Sequence, residues 1–282
     1  MSSPDKILEI RDLTKIFGEV TVLDKVNFDL KEGEIHGLCG ENGAGKSTLL
    51  KCISGVYPSY SGQILLSGSP CSFADISESR KAGLAVIYQE LSLVNELSIA
   101  ENIFLGEEPV VSSGLIDTDV MYSETAGLLS RFGLDLKAEA LVGDLGVGKQ
   151  QLVEIAKALS KNARILLFDE PSSALTEAEV KVLMDIIRGL RDKGVSCVYI
   201  SHKLDEIFEI CDRVTVLRDG KTIKTMDIGD TNTAEIISLM VGREITDIYP
   251  KRSSQPGEVA LEVEGLSVVD EQSGKQVLKD IS

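Results

Sequence analysis

Three things are scarce in this chain of 282 residues, and each closes off a class of protein. Basic residues are outnumbered: 29 Lys and Arg stand against 45 Asp and Glu, for a net charge of -16 and a pI near 4.6. Non-specific nucleic-acid binders hold the phosphate backbone with clustered cations, so this balance argues against nucleic acid as a partner. Paired cysteines are missing. The five present, Cys39, Cys52, Cys71, Cys197 and Cys211, form no C-x-x-C and mostly sit in apolar runs, the pattern of buried free thiols in a reducing cytoplasm. Long apolar stretches are missing too. None reaches the roughly 18 residues of a membrane-spanning helix, and Met1-Ser2-Ser3-Pro4-Asp5 is not expected to begin a signal peptide.

What is present is an ordinary globular composition, 43% hydrophobic and 26% charged, with length for one large domain or two smaller ones. Its most informative stretch is Gly40-Glu41-Asn42-Gly43-Ala44-Gly45-Lys46-Ser47-Thr48, which fits the phosphate-binding pattern G-x-x-x-x-G-K-[ST]. An apolar run of strand length, Ile35 to Cys39, precedes it, and Leu49 to Ile53 reads as a helix closed by Gly55. That strand, loop, helix context is what the pattern requires. Glycines let successive N–H groups converge on a phosphate chain, and the helix start adds the positive end of its dipole. Lys46 would offer a mobile cation to the β- and γ-phosphates and Ser47 a hydroxyl to Mg²⁺.

Other elements follow from periodicity. Val26, Phe28 and Leu30 alternate with Lys25, Asn27 and Asp29 as in a half-buried antiparallel strand, and Phe17 upstream suits either core packing or stacking on a base. Ser61-Gly62 predicts a turn before a strand over Gln63 to Leu66, with a polar stretch running to Gly83. Leu84 to Tyr88 is a buried-type strand delivering Gln89, a position where ligands sit in doubly wound sheets. Capping boxes at Ser98-Ile99-Ala100-Glu101 and Thr176-Glu177-Ala178-Glu179 open helices, and a third, amphipathic helix carries Met121, Leu128, Leu129 and Phe132 on one face. Leu145-Gly146-Val147-Gly148-Lys149-Gln150-Gln151 opens another helix and is a second, weaker candidate for binding an anion.

Ile165 to Phe168 is an all-apolar strand ending in Asp169-Glu170-Pro171. Taken alone, the two carboxylates could be a solvated strand end; downstream of a phosphate loop they read as functional. Val195 to Ile200 delivers Ser201-His202, where a lone His is more often structural unless its neighbours are catalytic. A hairpin about Asp219-Gly220 and a helix over Thr233 to Val241 complete residues 1–242. Residues 243–258 read as a linker. Over 259–282 the sequence repeats itself: Leu261 to Ser267 matches Leu8 to Thr14, and Val277 to Ser282 matches Val22 to Asn27. Two tandem copies are expected, the second cut short before its own phosphate loop.

In that order, the phosphate loop, Gln89, Leu145 to Gln151, Asp169-Glu170 and Ser201-His202 resemble the ATPase domain of ABC transporters. The resemblance implies an α/β P-loop NTPase with a RecA-like core, an antiparallel β subdomain and a helical signature subdomain near 92–160. The stretches from Gln89 to Val94, Ala100 to Gly106, Val153 to Leu159 and Met240 to Arg243 look like the ATP-binding subunits of bacterial monosaccharide importers, the ribose, xylose and galactose group. Those subunits carry two ABC copies on one chain and hydrolyse ATP to drive a separate permease. The resemblance therefore implies ATP and Mg²⁺ as ligands and a peripheral place on the cytoplasmic face of the membrane. It implies as partners permease subunits, the second ABC domain and, indirectly, an external sugar-binding protein.

It implies residue roles as well. Residues Gly40 to Thr48 would cradle the phosphates, Phe17 would stack on adenine, and Ser47, Gln89 and Asp169 would serve Mg²⁺. Glu170 would orient or deprotonate the attacking water, with Lys46, Gln89 and His202 completing the catalytic set. The segment after Gln89, with 92–160, would form a groove for a cytoplasmic helix of the permease. One departure stands out: the family signature begins Leu-Ser-Gly-Gly, and here Gly146 and Val147 fill its second and third places, removing the hydroxyl. In that family each ATP lies between one copy's phosphate loop and the other copy's signature, so the resemblance implies that the defect would fall on the site built on the other copy's loop. Thr176, where many relatives have Asp, points the same way.

Two competing readings remain. A soluble two-copy ABC ATPase acting on ribosomes would carry a longer charged linker and basic surfaces, against the acidic balance here. A regulatory nucleotide-binding module could dispense with Glu170 and His202, yet both are present.

Overall fold

Alternating apolar and polar residues turn the start of the chain into an antiparallel ribbon. β1 (Lys6–Phe17) and β2 (Val20–Lys31) pair with Leu8 opposite Leu30, Ile10 opposite Phe28 and Leu13 opposite Val26, all six buried. These coordinates are a computed structural model that describes residues 6–89, 91–160, 163–242, 257–259, 261–270 and 274–282. Contacts divide the chain into two units, Met1–Glu244 and Ile245–Ser282.

In the first unit β3 (Ile35–Cys39) leads into α1 (Lys46–Ile53), and the chain then returns to the ribbon. β4 (Ser61–Leu66) and β5 (Ser69–Cys71) extend it to a four-stranded sheet in the order β2-β1-β4-β5. Here one expectation is corrected: Ser61 and Gly62 belong to the strand and not to a turn before it. Gly62 adopts φ +93°, and a Cβ there would lie 2.5 Å from the Asp12 carbonyl oxygen, so only glycine keeps the backbone against β1 where the register slips.

The polar stretch before Gly83 holds an unforeseen short helix, α2 (Ile76–Lys81), capped by Asp75 accepting from Glu78 N. β6 (Leu84–Ile87) follows, and α3 (Ile99–Phe104), α4 (Thr118–Arg131) and α5 (Val147–Leu159) make the helical middle stretch. β7 (Ile165–Asp169), α6 (Glu177–Arg191), β8 (Ser196–Ile200), α7 (Leu204–Ile210), β9 (Arg213–Arg218), β10 (Lys221–Asp227) and α8 (Thr233–Val241) complete the unit. Both expected capping boxes form, Ser98 with Glu101 and Thr176 with Glu179.

The second sheet runs β10-β9-β3-β8-β7-β6, parallel except for β10. Its central strands β3, β8 and β7 are buried along their whole length because both faces are covered. On one side Leu38, Leu167 and Ile200 share a core with Leu49 and Ile53 of α1 and with Leu13 and Val26 of the ribbon. On the other, Cys39, Phe168 and Tyr199 pack with Ile155 of α5 and with Leu183 and Ile187 of α6. Helix α1 is thus held between the two sheets. Among the described residues no helix is long and apolar enough to cross a membrane.

The second unit is a hairpin of β11 (Leu266–Val269) and β12 (Gln276–Ile281). It reproduces the start of the first unit in detail. Leu266 pairs with Ile281 as Leu13 pairs with Val26. The Asp280 N–H donates to Ser267 Oγ at 3.0 Å, as Lys25 N–H donates to Thr14 Oγ1 at 3.0 Å, and Asp280 and Lys25 share φ +50°. Leu261 to Glu264 are not in a strand, although their counterparts in the first unit are held by β2 and β4. Most of the expected linker, 243–256, lies outside the described residues.

Candidate functional site

Parallel register gathers the loops at one edge of the second sheet. Leu38 is level with Ile200, Ile200 with Asp169, and Phe168 with Ile87, so Gly40, Ser201-His202, Asp169-Glu170 and Gln89 all emerge just beyond the carboxyl ends of adjacent strands. Ligands of open parallel sheets bind in that crevice.

The loop from Gly40 to Gly45 runs directly into α1, whose first N–H groups have no intrahelical acceptor and whose N-cap, Gly45, can offer no side chain. Its glycines are enforced by space as well as by dihedral. A Cβ on Gly40 would lie 2.3 Å from the Leu217 carbonyl oxygen, and one on Gly45, at φ +101°, would lie 2.6 Å from Leu23 Cδ2. Lys46, buried among these groups, donates from Nζ to the Gly40 and Glu41 carbonyls at 2.8 and 3.0 Å. Such carbonyls hold an ammonium only weakly against a competing phosphate, since the stronger hydrogen bonds are those in which both partners are charged. Glu41, Asn42 and Gly43 form the exposed rim and Ala44 is buried beneath it.

Ser47 Oγ donates to Asp169 Oδ1 at 3.2 Å, joining the first turn of α1 to the end of β7. Burial raises the Asp169 carboxyl above the ordinary carboxylate value; the Ser47 bond opposes this and the Glu170 charge adds to it. A hydroxyl and a carboxylate that close, in a site where negative charge is crowded, form a donor set suited to a hard cation that keeps several waters. Glu170 sits at φ +50°, an uncommon region for a non-glycine residue, with its N–H donating to the Ile200 carbonyl at 3.0 Å. Its Oε2 lies 3.1 Å from His202 Nδ1, so that ring N–H donates to the carboxylate and Nε2 points elsewhere. Gln89 is exposed beyond β6, on the far side of Glu170 from His202 in strand order.

Phe17 closes β1 and is 40% exposed. Sequence reasoning missed its supports: Tyr57 meets it edge-on with centroids 5.1 Å apart, and Lys15 Nζ lies 4.8 Å from the ring while donating to the Ser59 carbonyl at 2.5 Å. Only the two-residue spacing of Lys15 and Phe17 on one strand face hinted at this. The turn at Leu145 to Gln151 stands apart. Among the described residues no hydrogen bond or ion pair joins it to the phosphate loop or to Asp169-Glu170; Gly146 and Val147 are exposed, and Gly148 abuts the Glu179 carboxylate.

A glycine loop feeding a helix with a lysine at its start, opposite a strand-end carboxylate pair on a parallel sheet, defines a P-loop NTPase fold. Comparison with known proteins narrows this. The profile of the ABC transporter family matches residues 23–173, and the chain belongs to that family. An ATP-binding cassette of an ABC transporter in its ADP conformation superposes with a TM-score of 0.72 at 24% identity, over 84% of this chain and 99% of that one. The xylose import ATP-binding protein XylG of Moorella thermoacetica is 54% identical over 279 residues, 98% of this chain and 55% of that protein. The L-arabinose transport ATP-binding protein AraG of Geobacillus stearothermophilus is 50% identical over 266 residues, 93% of this chain and 52% of that protein. The chain spans about half the length of the curated relatives it matches.

Proposed function

We propose that this chain is the first ATP-hydrolysing domain, residues 1–242, of a peripheral subunit that powers import of a monosaccharide, of the pentose class, through a separate permease at the cytoplasmic face of the membrane. The observation that carries it is the convergence of Lys46, the Ser47–Asp169 pair and the Glu170–His202 pair at one sheet edge. The pentose class comes from the xylose and arabinose importers at about half identity. The recurrence of the first unit's register and hydrogen bond in the second supports a second ABC domain beginning near residue 259. The test is Mg²⁺-dependent phosphate release from ATP by the chain, and pentose uptake restored by the full-length subunit in cells lacking their own. No phosphate release, or uptake unchanged by loss of the subunit, would overturn it.

In this reading Phe17 stacks on adenine and the backbone of Gly40 to Thr48 cradles the phosphates. Lys46 leaves the Gly40 and Glu41 carbonyls for the β- and γ-phosphates. Ser47, Asp169 and Gln89 would hold Mg²⁺, which would supply positive charge to offset the negative charge of the phosphates. Glu170 accepts the proton of, or orients, the attacking water, and His202, steadied through Nδ1, turns Nε2 to the γ-phosphate. The chemistry asked of the protein is positioning and charge stabilisation.

A cavity of about 250 Å³ between α2, β6, α3 and α5, lined among others by Arg80, Leu84, Tyr88, Ser92, Ile103 and Glu154, is where we place the permease's cytoplasmic helix. It adjoins the segment after Gln89, so occupancy there reaches the catalytic edge through a few residues of backbone.

Two consequences are measurable. Phe17→Ala removes a stacking surface worth about 1–2 kcal/mol, so KM for ATP should rise roughly tenfold with kcat little changed. An unchanged KM would reject the stacking role. In any homodimer of this chain, both ATP sites must use the Leu145 to Gln151 turn. A Cβ at Gly146 would meet nothing within 4 Å, so Gly146→Ser fits without strain. A hydroxyl bonded to a charged phosphate contributes about 1.5 kcal/mol, and turnover should rise about tenfold. Unchanged turnover with dimerisation intact would remove the signature argument.

A further inference from the structure

The turn that carries Glu170 and the turn that carries His202 come from different strands, yet one buried side chain ties both. Glu206, in the first turn of α7 and 6% exposed, accepts at a single oxygen, Oε2, from Ser172 Oγ at 2.7 Å, Tyr199 OH at 2.9 Å and Ser201 Oγ at 2.9 Å. Its other oxygen lies 3.2 Å from Lys203 Nζ. Ser172 follows Glu170 by two residues and Ser201 precedes His202 by one. Lys203 doubles the link, donating its N–H to Ser201 Oγ at 3.0 Å and its ammonium to the Ser172 carbonyl at 3.3 Å. A carboxyl oxygen that accepts three hydroxyls carries charge. Burial works against that charge, but the Ser172, Tyr199 and Ser201 hydroxyls and Lys203 hold the group below the ordinary glutamate value.

We propose that Glu206 is a positioning residue for turnover: by holding Ser172 and Ser201 to one carboxylate, it fixes the 3.1 Å contact between Glu170 and His202. A fold that needed only filling at this point would use an apolar side chain, which avoids the cost of a buried charge. The geometry is specific in another way. The three hydroxyls come from the loop after β7, from β8 itself and from the loop after β8, so no single element can move without breaking a bond to Glu206. The proposal rests on the reading that Glu170 and His202 serve ATP hydrolysis.

The test is Glu206→Gln in the full chain, which keeps the shape and removes the charge. Affinity for MgATP and KM should stay within about twofold and the Tm should hold or rise, while kcat falls about 10- to 100-fold, the loss that a misplaced catalytic group brings. A second readout needs no turnover. The chain has 2 histidines, and the other, His36, is fully buried against Thr215, so ring resonances of His202 can be followed by NMR. They should shift in Glu206→Gln while those of His36 stay in place. Ser172→Ala and Ser201→Ala, which each remove one hydroxyl, should lower kcat several-fold and move the same resonances; they decide the matter should Glu206→Gln not fold. An unchanged kcat and unmoved His202 signals overturn the proposal, as does a parallel fall of Tm, affinity and kcat. Absence of ATP hydrolysis in the unmodified chain would instead sink the parent reading, and the NMR comparison would still judge the positioning.

Discussion

Lys46→Ala should leave the chain folded and deprive it of nucleotide. The ammonium is buried in the phosphate loop, and among the described residues its hydrogen bonds go to two backbone carbonyls of that loop. Water can reach Glu41 and replace part of that bonding, so the unliganded protein should lose about 1–2 kcal/mol of stability. Binding loses far more. Removing one partner of a desolvated charge pair costs about 3 kcal/mol, close to a hundredfold in affinity. In a thermal-shift titration at about 100 times the wild-type Kd, nucleotide stabilises the unmodified chain by about 2.7 kcal/mol, and the variant should gain only about 0.4 kcal/mol. Lys46→Arg should not restore binding, since a larger planar cation must enter a buried site where a compact ammonium bonds the Gly40 and Glu41 carbonyls. A nucleotide-induced shift of wild-type size in Lys46→Ala would remove the phosphate loop from the proposed site.

What the sequence could reveal divides by distance along the chain. The phosphate loop and both capping boxes were legible because each device sits within a few consecutive residues. Ser98 with Glu101 and Thr176 with Glu179 satisfy each other's backbone whatever lies beyond. The strand faces were legible too, since alternation from Val26 to Leu30 has one reading once a core exists. Gly62 misleads because a glycine beside a serine marks a turn locally, whereas its freedom is used here to pass close to Asp12 on a neighbouring strand. Helices α2 and α7, of 6 and 7 residues, are too short for a 3.6-residue period to show. Glu206 was invisible for a related reason. At the third position of a short helix it resembles a capping acid, and nothing local announces that hydroxyls at 172, 199 and 201 converge on it. Phe17 falls between these cases: the residue drew notice, but Tyr57 and Lys15, which steady its ring, became partners only through folding.

The second large effect separates chemistry from binding. Glu170→Gln keeps side-chain volume and backbone preference, so a residue held at φ +50° by bonds to Ile200 and Ser173 should stay where it is. What changes is basicity and charge. General-base or water-orienting help contributes about 10²- to 10⁴-fold, so kcat should drop by at least about a hundredfold. Affinity for MgATP should hold or tighten, because one negative charge disappears from beside Asp169, whose carboxyl the Glu170 charge helps to raise, and from beside the incoming phosphates. His202→Ala should also slow turnover, and since His202 Nδ1 is bonded to Glu170 the two losses should not add. The double variant should be about as slow as the slower single. Additive losses would mean that the 3.1 Å contact between the two side chains plays no part in turnover. A Glu170→Gln chain that hydrolyses ATP within twofold of the unmodified rate would remove this carboxylate from the reaction altogether.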